Sequence, residues 1–279
     1  MTNVFIFDTI LSDSSKPSCL KTKLWAKQSY IYAPVLGAFL FCMEEKMNEL
    51  LLFGSLVLIY GATLVAYRLF GKHGLFAFTA IATILANIEV LVLIDGFGME
   101  QTLGNVMFAS TYLVTDILSE NHGKKDAARA VYIGIFTAMA MLAVTQYWFL
   151  FKPSANDWVM PSIKVVFKQT PRLMLASLTG YAVSQRFDVW LYHKWWEITE
   201  RKSGNSRPYL WLRNNGSTLI SQIINTIIFN VIAFAGLYDT KTLVSIILST
   251  YVIYIFTSLL DTPIVYIARR LREKGQIPD

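Results

Sequence analysis

Seven apolar segments occupy most of the chain after residue 46, and short polar loops separate them. Several of these segments reach the ~20 residues that a helix needs to cross a bilayer. Only 16% of the residues are charged, well below the roughly one quarter that soluble domains carry, and 54% are hydrophobic. The sequence therefore predicts an all-α, polytopic membrane helix bundle. The segments are 47–70, 74–95, 103–118, 129–151, 170–199, 214–236 and 241–269.

Basic residues are concentrated in the loops, and their distribution predicts the orientation. Short loops rich in Lys and Arg lie on the cytoplasmic side of multi-pass proteins. Lys124, Lys125 and Arg129 place the loop after the third segment inside, and the C-terminal string RRLREK is inside by the same rule. The loop DGFGMEQ has no basic residue and is expected outside. We therefore expect a multi-pass protein of a cellular membrane, surrounded by lipid, with a cytoplasmic C-terminus.

Residues 1–46 differ from the rest of the chain. The string SDSSKPSCLKTK is polar and favours turns, and the apolar run that follows it has only about half the ~20 residues that a spanning helix needs. We predict a disordered or interfacial extension before a multi-pass domain at 47–279. An over-long gene model is the alternative, because Met43 and Met47 could both serve as the translation start.

Several functional classes lack their sequence signatures. The net charge of +6 comes from loop residues and not from one basic face, so we expect no nucleic-acid partner. Cys19 and Cys42 form neither a disulfide framework nor a metal motif. The strings HExxH, GxSxG, GxGxxG and GxxxxGK[ST] do not occur, so no metal or cofactor is predicted.

Polar side chains recur at helical spacing in four of the later segments. In the third segment, Asn105, Tyr112 and Asp116 share one helical face. Coincident polar faces on four helices predict a polar interior. The other faces are Ser177, Tyr181, Gln185 and Asp188 in the fifth segment, Thr218, Ser221, Gln222 and Asn225 in the sixth, and Tyr251, Tyr254, Ser258 and Asp261 in the seventh.

These polar residues have a structural explanation beside the functional one. Ser, Thr, Asn and Gln commonly hydrogen-bond across membrane helices, at ~0.6–2 kcal/mol each, and then only hold helices together. A carboxylate at membrane depth costs several kcal/mol unless it is paired, so an aspartate is as often functional as structural. Asp116, Asp188 and Asp261 all fall toward the cytoplasmic ends of their segments, whereas Asn225 is ~16 Å in from the start of the sixth.

Basic residues near these acids suggest ion pairs. Arg186, Arg213 or Lys124 could neutralise the aspartates, either as a structural lock or as a gate. Asn87 and Glu89 lie in the opposite, outer half of the second segment. The residues thus predict a polar pocket that acidic side chains close on the cytoplasmic side.

Three strings occur in a characteristic order, TDILSENHGKKDAARAV, SQRFDVWLYHKWW and LWLRNNGSTLISQIINTIIFNVIAF. With them the chain resembles the queuosine precursor transporter family, also called the vitamin-uptake-like transporter family, over 74–269. The resemblance implies a multi-pass importer of a 7-deazaguanine such as preQ0, preQ1 or queuine. It also implies a six-helix core like the S-components of energy-coupling-factor transporters, plus one extra N-terminal transmembrane helix.

The resemblance assigns family motifs to positions of this chain. The family often has Asp where this chain has Asn225, and an amide cannot take up or release a proton in this role. Hydrogen bonding to a base edge survives the change. The TD motif corresponds to Thr115 and Asp116, the following acid to Glu120, FDV to Phe187, Asp188 and Val189, RNN-x-ST to Arg213, Asn214, Asn215, Ser217 and Thr218, and SQ to Ser221 and Gln222.

The polar faces and the resemblance together give two sets of candidate residues. The candidate substrate-binding residues are Asn87, Asn105, Tyr112, Asp116, Tyr181, Gln185, Asp188, Gln222 and Asn225. The candidate gate or charge-lock residues are Glu120, Arg186, Arg213, Asn214 and Asp261.

A deazapurine suits this set chemically. Asn, Gln and Asp can pair with its amide and amine edges as they do with nucleobases, and aromatic rings can stack on its faces at ~1–3 kcal/mol per base. The aminomethyl group of preQ1 is cationic, so Asp116 or Asp188 would be its counter-charge. The candidate stacking rings are Tyr112, Tyr181, Trp190 and Phe229.

Two other functions stay open at this point. Asp116, Asp188 and Asp261 could supply the acid pair of an intramembrane aspartyl protease, although the GxGD string of such enzymes is absent. Alternatively, the polar faces only hold helices together in an assembly subunit. An importer without a P-loop needs a separate ATPase module, an ion gradient or metabolic trapping of its ligand.

Overall fold

The computed structural model describes residues 19–168, 171–205, 207–237 and 239–278. For residues 19–46, 99, 100, 171 and 174 it describes the backbone alone. The chain divides into two units, Met1–Met47 and Asn48–Asp279. The predicted extension over 1–46 stays a prediction, because residues 1–18 lie outside the described part of the chain.

Within these residues the chain forms seven α-helices, a 3-10 turn and a two-stranded hairpin, which confirms the predicted all-α membrane helix bundle and adds a small sheet. Helix α4 falls in a stretch that we predicted as a loop. The elements are α1 (Cys19–Glu89), β1 (Leu93–Gly96), β2 (Met99–Thr102), α2 (Asn105–Asn121), α3 (Lys124–Trp148), α4 (Met160–Phe167), α5 (Pro171–Ser203), the 3-10 turn (Arg207–Tyr209), α6 (Leu210–Phe234) and α7 (Thr240–Glu273).

Helix α1 contains the first two predicted segments as two arms, 47–70 and 72–89, which meet at Gly71. Gly71 has a φ of 58°, in the left-handed region that favours glycine. A one-residue turn therefore replaces the short polar loop expected between the two segments. Just after the turn, a β-carbon at Gly74 would collide with the backbone carbonyl of Ala66, so the two arms approach each other closely.

We predicted that the second segment ends at residue 95. The second arm ends earlier, at Glu89, because the chain turns into a hairpin there. Strands β1 and β2 pair antiparallel, with Leu93 opposite Thr102. Phe97 and Gly98 connect them with φ angles of 57° and 70°. Positive φ at both central residues is the geometry of the two-residue turn that matches strand twist. The loop predicted from DGFGMEQ is therefore an ordered hairpin.

Helix α2 lies at the centre of the bundle. It has 17 residues, 14 of them are buried, and it contacts α3, α5, α6 and α7. At ~1.5 Å per residue it is about 26 Å long, somewhat short of the ~30 Å hydrocarbon core. Because other helices enclose α2, its polar side chains are kept away from lipid.

One side of α2 packs into an apolar core and the other side is polar. Tyr67 and Leu75 of α1, Leu113 and Ile117 of α2, and Val265 of α7 are all fully buried in this core. The polar side of α2 faces α5 and α6. The bundle is thus apolar between α1, α2 and α7, and hydrogen-bonded between α2, α5 and α6.

Four stretches of the described chain are long and apolar enough to cross a membrane. Helices α2 and α5 are not among them, although we predicted spanning segments there: α2 is short and enclosed, and α5 carries a buried polar face. The chain is nevertheless a multi-pass membrane protein. The four stretches are Met47–Glu89, Lys124–Trp148, Arg207–Phe234 and Thr240–Glu273.

The close approach of the two α1 arms gives a first prediction. Gly74→Ala should destabilise the protein by about 1–3 kcal/mol, because the new methyl group meets the Ala66 backbone and not a movable side chain. Gly61→Ala is the matched control, since nothing lies within 4 Å of its β-carbon position. Thermal unfolding in detergent compares the two variants. Equal melting temperatures for both would contradict the close approach.

The start of α7 gives a second prediction. The Asp239 carboxylate accepts hydrogen bonds from the Thr242 hydroxyl at 2.6 Å and from the backbone N–H groups of Thr242 and Lys241. These bonds, the Thr242 hydroxyl first among them, lower the pKa of Asp239 below its usual 3.8.

A lowered pKa means that this stabilisation is complete above the ordinary aspartate pKa and is lost as the pH falls through the lowered value. Asp239→Ala should therefore melt earlier than wild type at pH 7 and at nearly the same temperature below the lowered pKa. Asp239→Asn keeps a capping oxygen and should lose less at pH 7. A gap between Asp239→Ala and wild type that does not depend on pH would disprove the assignment.

Candidate functional site

Polar side chains of α2, α5 and α6 meet in a buried group that we call the polar cluster. The exposed fraction of its main members is 0%, so the helical faces expected from the sequence do point inward. The cluster consists of Tyr112 and Asp116 on α2, Gln185 and Asp188 on α5, and Thr218 and Gln222 on α6.

Hydrogen bonds between α2 and α5 satisfy part of the cluster. The Tyr112 hydroxyl donates to Ser184 Oγ at 2.7 Å. Gln185 Nε2 donates to Thr111 Oγ1 at 2.7 Å, and its Oε1 accepts from Thr115 Oγ1 at 3.3 Å. The Gln185 amide is therefore occupied at both ends. In this conformation it serves to join the two helices.

The two aspartates of the cluster are less well satisfied. Asp116 Oδ2 accepts from Thr218 Oγ1 at 3.0 Å, while no described group donates to its Oδ1. Asp188 lies beside the hydroxyls of Ser217, Thr218 and Ser221. Those hydroxyls lie within reach of Asp188 but in this conformation donate to backbone carbonyls of α6 and to Asp116, so Asp188 has no partner of its own within the described chain and competes with those acceptors for the same protons. Buried carboxylates without donors are costly and mark functional positions.

The Gln222 amide of α6 continues this pattern, and Asn225 lies near it. Neither Nε2 nor Oε1 of Gln222 has a partner among the described residues, although the side chain is fully buried. Asn225, one turn further, is 7% exposed, and its Oδ1 would lie 2.8 Å from a β-carbon placed at Gly180. Gln222 therefore presents a complete donor and acceptor pair toward the interior.

A network of ion pairs lies one turn from the aspartates, and we call it the Glu120 network. Glu120 Oε2 accepts from Arg213 Nη2 at 2.7 Å and from the Tyr192 hydroxyl at 2.7 Å. Its Oε1 is 3.2 Å from Arg269 Nη1. The Arg213 guanidinium also stacks 4.2 Å from the ring centre of Trp196. The network joins α2, α5, α6 and α7 through the buried charges of Glu120 and Arg213 and the largely buried Arg269.

The third aspartate is bonded across α6 and α7. Asn214 Nδ2 donates to Asp261 Oδ1 at 2.6 Å. The neighbouring Asn215 Nδ2 donates to Thr262 Oγ1 at 2.8 Å, and its Oδ1 accepts from Ser258 at 3.3 Å. Consecutive asparagines thus fix the contact between these two helices.

The structure leaves some of the sequence candidates outside the cluster. Asn87 is half-buried and donates to a carbonyl of its own helix. Asn105 accepts from Thr102 at the end of the hairpin. Arg186 is exposed, and its guanidinium lies 5.5 Å from the ring centre of Tyr132, where it neutralises none of the three aspartates.

Two cavities lie beside the cluster and not inside it. One, of about 680 Å³, opens at the ends of α2, α3, α5 and α7, and Glu120 is part of its wall. The other, of about 190 Å³, is lined by Lys124, Arg186 and Trp190, among other residues. The polar cluster is closed in this conformation. In the described part of the chain no three His, Cys, Asp or Glu side chains are grouped as metal ligands.

Comparison with known proteins agrees with this geometry. A sequence model of the family described as "Putative vitamin uptake transporter" matches residues 102–268. The "Probable queuosine precursor transporter" of Bacillus subtilis (strain 168) is 37% identical over 208 residues, which are 75% of this chain and 89% of the relative. This chain belongs to the queuosine precursor transporter family. No solved structure matches it.

Membership in the queuosine precursor transporter family confirms the resemblance and the prediction of a transporter that is not an enzyme. The match to the family model runs from the end of β2 into α7 and therefore contains the whole polar cluster. Helix α1 lies outside that match.

Sequence reasoning did not select several residues that complete the site of this transporter. Tyr192 and Trp196 follow Asp188 at intervals of four residues, so the polar face of α5 could have been extended to them. Arg269 appeared only as one basic residue in the C-terminal string. Thr111 and Ser184 carried no signal, because isolated hydroxyls are common in membrane helices.

The Glu120 network gives a third prediction. Glu120→Gln should cost about 3–5 kcal/mol of stability, because it leaves the buried Arg213 charge uncompensated. The control is Glu197→Gln, which breaks an exposed pair with Lys194 and should cost less than about 1 kcal/mol. Thermal unfolding in detergent measures both. A loss for Glu120→Gln as small as the control would show that the pair is not a structural lock.

Proposed function

We propose that this protein imports a 7-deazaguanine precursor of queuosine, preQ0, preQ1 or queuine, across the bacterial cytoplasmic membrane. The single observation that carries the proposal is that five fully buried polar atoms of the polar cluster have no partner in the described chain: both oxygens of Asp188, both amide atoms of Gln222 and Oδ1 of Asp116. The relative from Bacillus subtilis, by its name, acts on queuosine precursors.

The unpartnered atoms match the edges of a deazaguanine. Its amide and amine groups present adjacent donors and acceptors, which a Gln amide can pair with in two parallel hydrogen bonds. When ionised, Asp188 and Asp116 offer oxygens that only accept, and these would bind the donors of the base. These side chains are already removed from water in the closed protein. Each hydrogen bond to the ligand therefore offsets a desolvation free energy that is already present.

Aromatic rings beside the cluster would contact the flat faces of the ligand. Tyr112, Tyr181 and Tyr254 surround Phe108, with ring centres 5.7, 6.1 and 6.1 Å from the Phe108 ring. Base stacking on such rings contributes ~1–3 kcal/mol per base. Trp190, which we had also considered for stacking, is 48% exposed and faces away from this group.

The charge around the aspartates favours a cationic ligand. Three acidic groups, Asp188, Asp261 and Glu120, act on Asp116. Arg213, the nearby cation, is held by Glu120. The aminomethyl group of preQ1 would supply the missing counter-charge, whereas the cyano group of preQ0 would not.

The remaining candidates fit a gate. Glu120, Arg213, Asn214 and Asp261 form the bonds that join α2, α6 and α7 beside the polar cluster. We expect this end on the cytoplasmic side, with a cytoplasmic C-terminus, because basic loops flank it. Release of the ligand would require these bonds to separate. Arg186, on the exposed face of α5, has no part in this gate.

The source of energy is also proposed from the sequence. Of the three energy sources that the missing P-loop leaves open, we propose a separate ATPase module, which suits an S-component-like importer, with lipid around α1, α3, α6 and α7. The exposed apolar side chains of these helices, such as Leu58, Phe136, Ile227 and Phe256, suit such a lipid contact.

Uptake of labelled precursors gives a fourth prediction. Cells that cannot synthesise queuosine precursors would express the protein and be given radiolabelled preQ1 or preQ0. Asp188→Asn keeps the shape of the side chain and removes its charge, so preQ1 uptake should fall about tenfold or more while preQ0 uptake falls less. Gln222→Ala removes the base-pairing amide and should reduce both.

Asp157→Asn is the matched control, because Asp157 is an exposed loop carboxylate that should leave uptake unchanged. Protein levels in the membrane are compared by immunoblot. Uptake of both precursors at the control level in Asp188→Asn and Gln222→Ala would contradict the proposed site, and absent uptake in wild type would contradict the proposed function.

A further inference from the structure

The larger cavity lies at the turn between α2 and α3. It contains polar groups that have no role in the proposed binding of a deazaguanine. Its volume of about 680 Å³ is within the range of ~300–1,000 Å³ that is typical of small-molecule sites. None of the candidate substrate-binding residues is part of its wall. Its wall contains Lys72, Ser119, Glu120, Asn121, His122, Gly123, Lys124, Asp126, His193, Trp196, Glu197 and Arg272.

Three polar atoms of this wall have no hydrogen-bond partner in the described chain. They are Ser119 Oγ, Asn121 Nδ2 and His193 Nε2. Ser119 is 2% exposed, so its hydroxyl is buried and lacks a partner at the same time. A hydroxyl, an amide NH2 and an imidazole N–H can all donate. Asn121 and Ser119 therefore bring donors to the wall, and His193 adds one in the tautomer that carries the proton on Nε2.

The N-terminus of α3 adds backbone donors to the same place. Gly123 and Lys124 are part of the wall, and the 25-residue helix that begins there has no side chain capping its N-terminus. The first N–H groups of a helix have no partner inside the helix and carry partial positive charge. Such an end, together with side-chain donors, binds anions.

The charges around the cavity also favour an anion. Each of its carboxylates is already bound by a cation from outside the wall: Glu120 by Arg213 and Arg269, Asp126 by Arg129, and Glu197 by Lys194. Lys72 also pairs with Asp126. Lys124 makes no ion pair with any described residue, so its charge is available to a ligand.

We propose that this cavity is an anion site that binds a phosphate group, held by Asn121, Ser119, His193, Lys124 and the start of α3. Phosphate offers several acceptor oxygens and so can receive bonds from many donors at once, with charge-assisted strength from Lys124. The phosphate can belong to a soluble molecule or to a lipid headgroup. The site is separate from the polar cluster and does not rest on the identity of the imported ligand.

Isothermal titration calorimetry tests the site with inorganic phosphate as the probe. Purified full-length protein in detergent is titrated with sodium phosphate, against sodium chloride of equal ionic strength. Lys124→Ala and Asn121→Asp should each weaken the binding of phosphate about tenfold or more, since one removes a charged donor and the other replaces a donor with a carboxylate. The control is Lys125→Ala, an exposed neighbour outside the cavity wall.

A second arm distinguishes the two sources of the phosphate group. The same variants are reconstituted with phosphatidylglycerol, and lipid retained after extraction is counted by intact-mass spectrometry. Loss of phosphate binding or of retained phosphatidylglycerol in Lys124→Ala and Asn121→Asp, but not in Lys125→Ala, supports the site and shows which source it takes. Absence of both in wild type, or equal losses in all three variants, would overturn it. Unchanged melting temperatures exclude misfolding as the cause of a loss.

Discussion

The ion pair between Glu120 and Arg213 is the interaction on which the arrangement of the helices depends. Both side chains are withdrawn from solvent, and Arg269 and Tyr192 complete the shell of Glu120. A buried charge is tolerated only when partners surround it, so α2, α5, α6 and α7 must all stay in register at this level. The aspartates of the polar cluster, one turn away, lie where they do because these helices are held together by the pair.

A polar interior of this kind requires an apolar exterior, so different helices carry the buried polar side chains and the outward apolar ones. Helix α2 carries much of the polar cluster and is enclosed, whereas α1, α3, α6 and α7 present apolar side chains outward. Backbone and side-chain polar groups inside a membrane must be satisfied within the protein. The unsatisfied atoms of Asp188 and Gln222 are exceptions to this rule, which is why they, and not the many bonded hydroxyls, indicate where a polar ligand would sit.

The sequence predicted the helices and the inward polar faces because both depend on spacing along one helix. It did not predict the hairpin, since nothing in the string marks Phe97 for a positive φ. The position of Arg186 was predictable and was missed: two residues along a helix is a rotation of about 200°, so Arg186 must face away from Asp188. Packing between helices decides which of Arg269 and Arg270 contacts Glu120 and which amides stay without partners. The sequence alone could not predict either.

The shortness of α2 has a consequence for the surrounding bilayer. A helix enclosed by protein does not have to match the thickness of the acyl layer, whereas α3, α6 and α7 are long and apolar enough to cross that layer and would have to match it. Mismatch between lipid chain length and these outer helices costs a fraction of a kcal/mol per Å and is relieved by tilting. A change in bilayer thickness should therefore change the tilt of the outer helices first. That tilt would affect the acids of α2 through the contacts that join α2 to its neighbours.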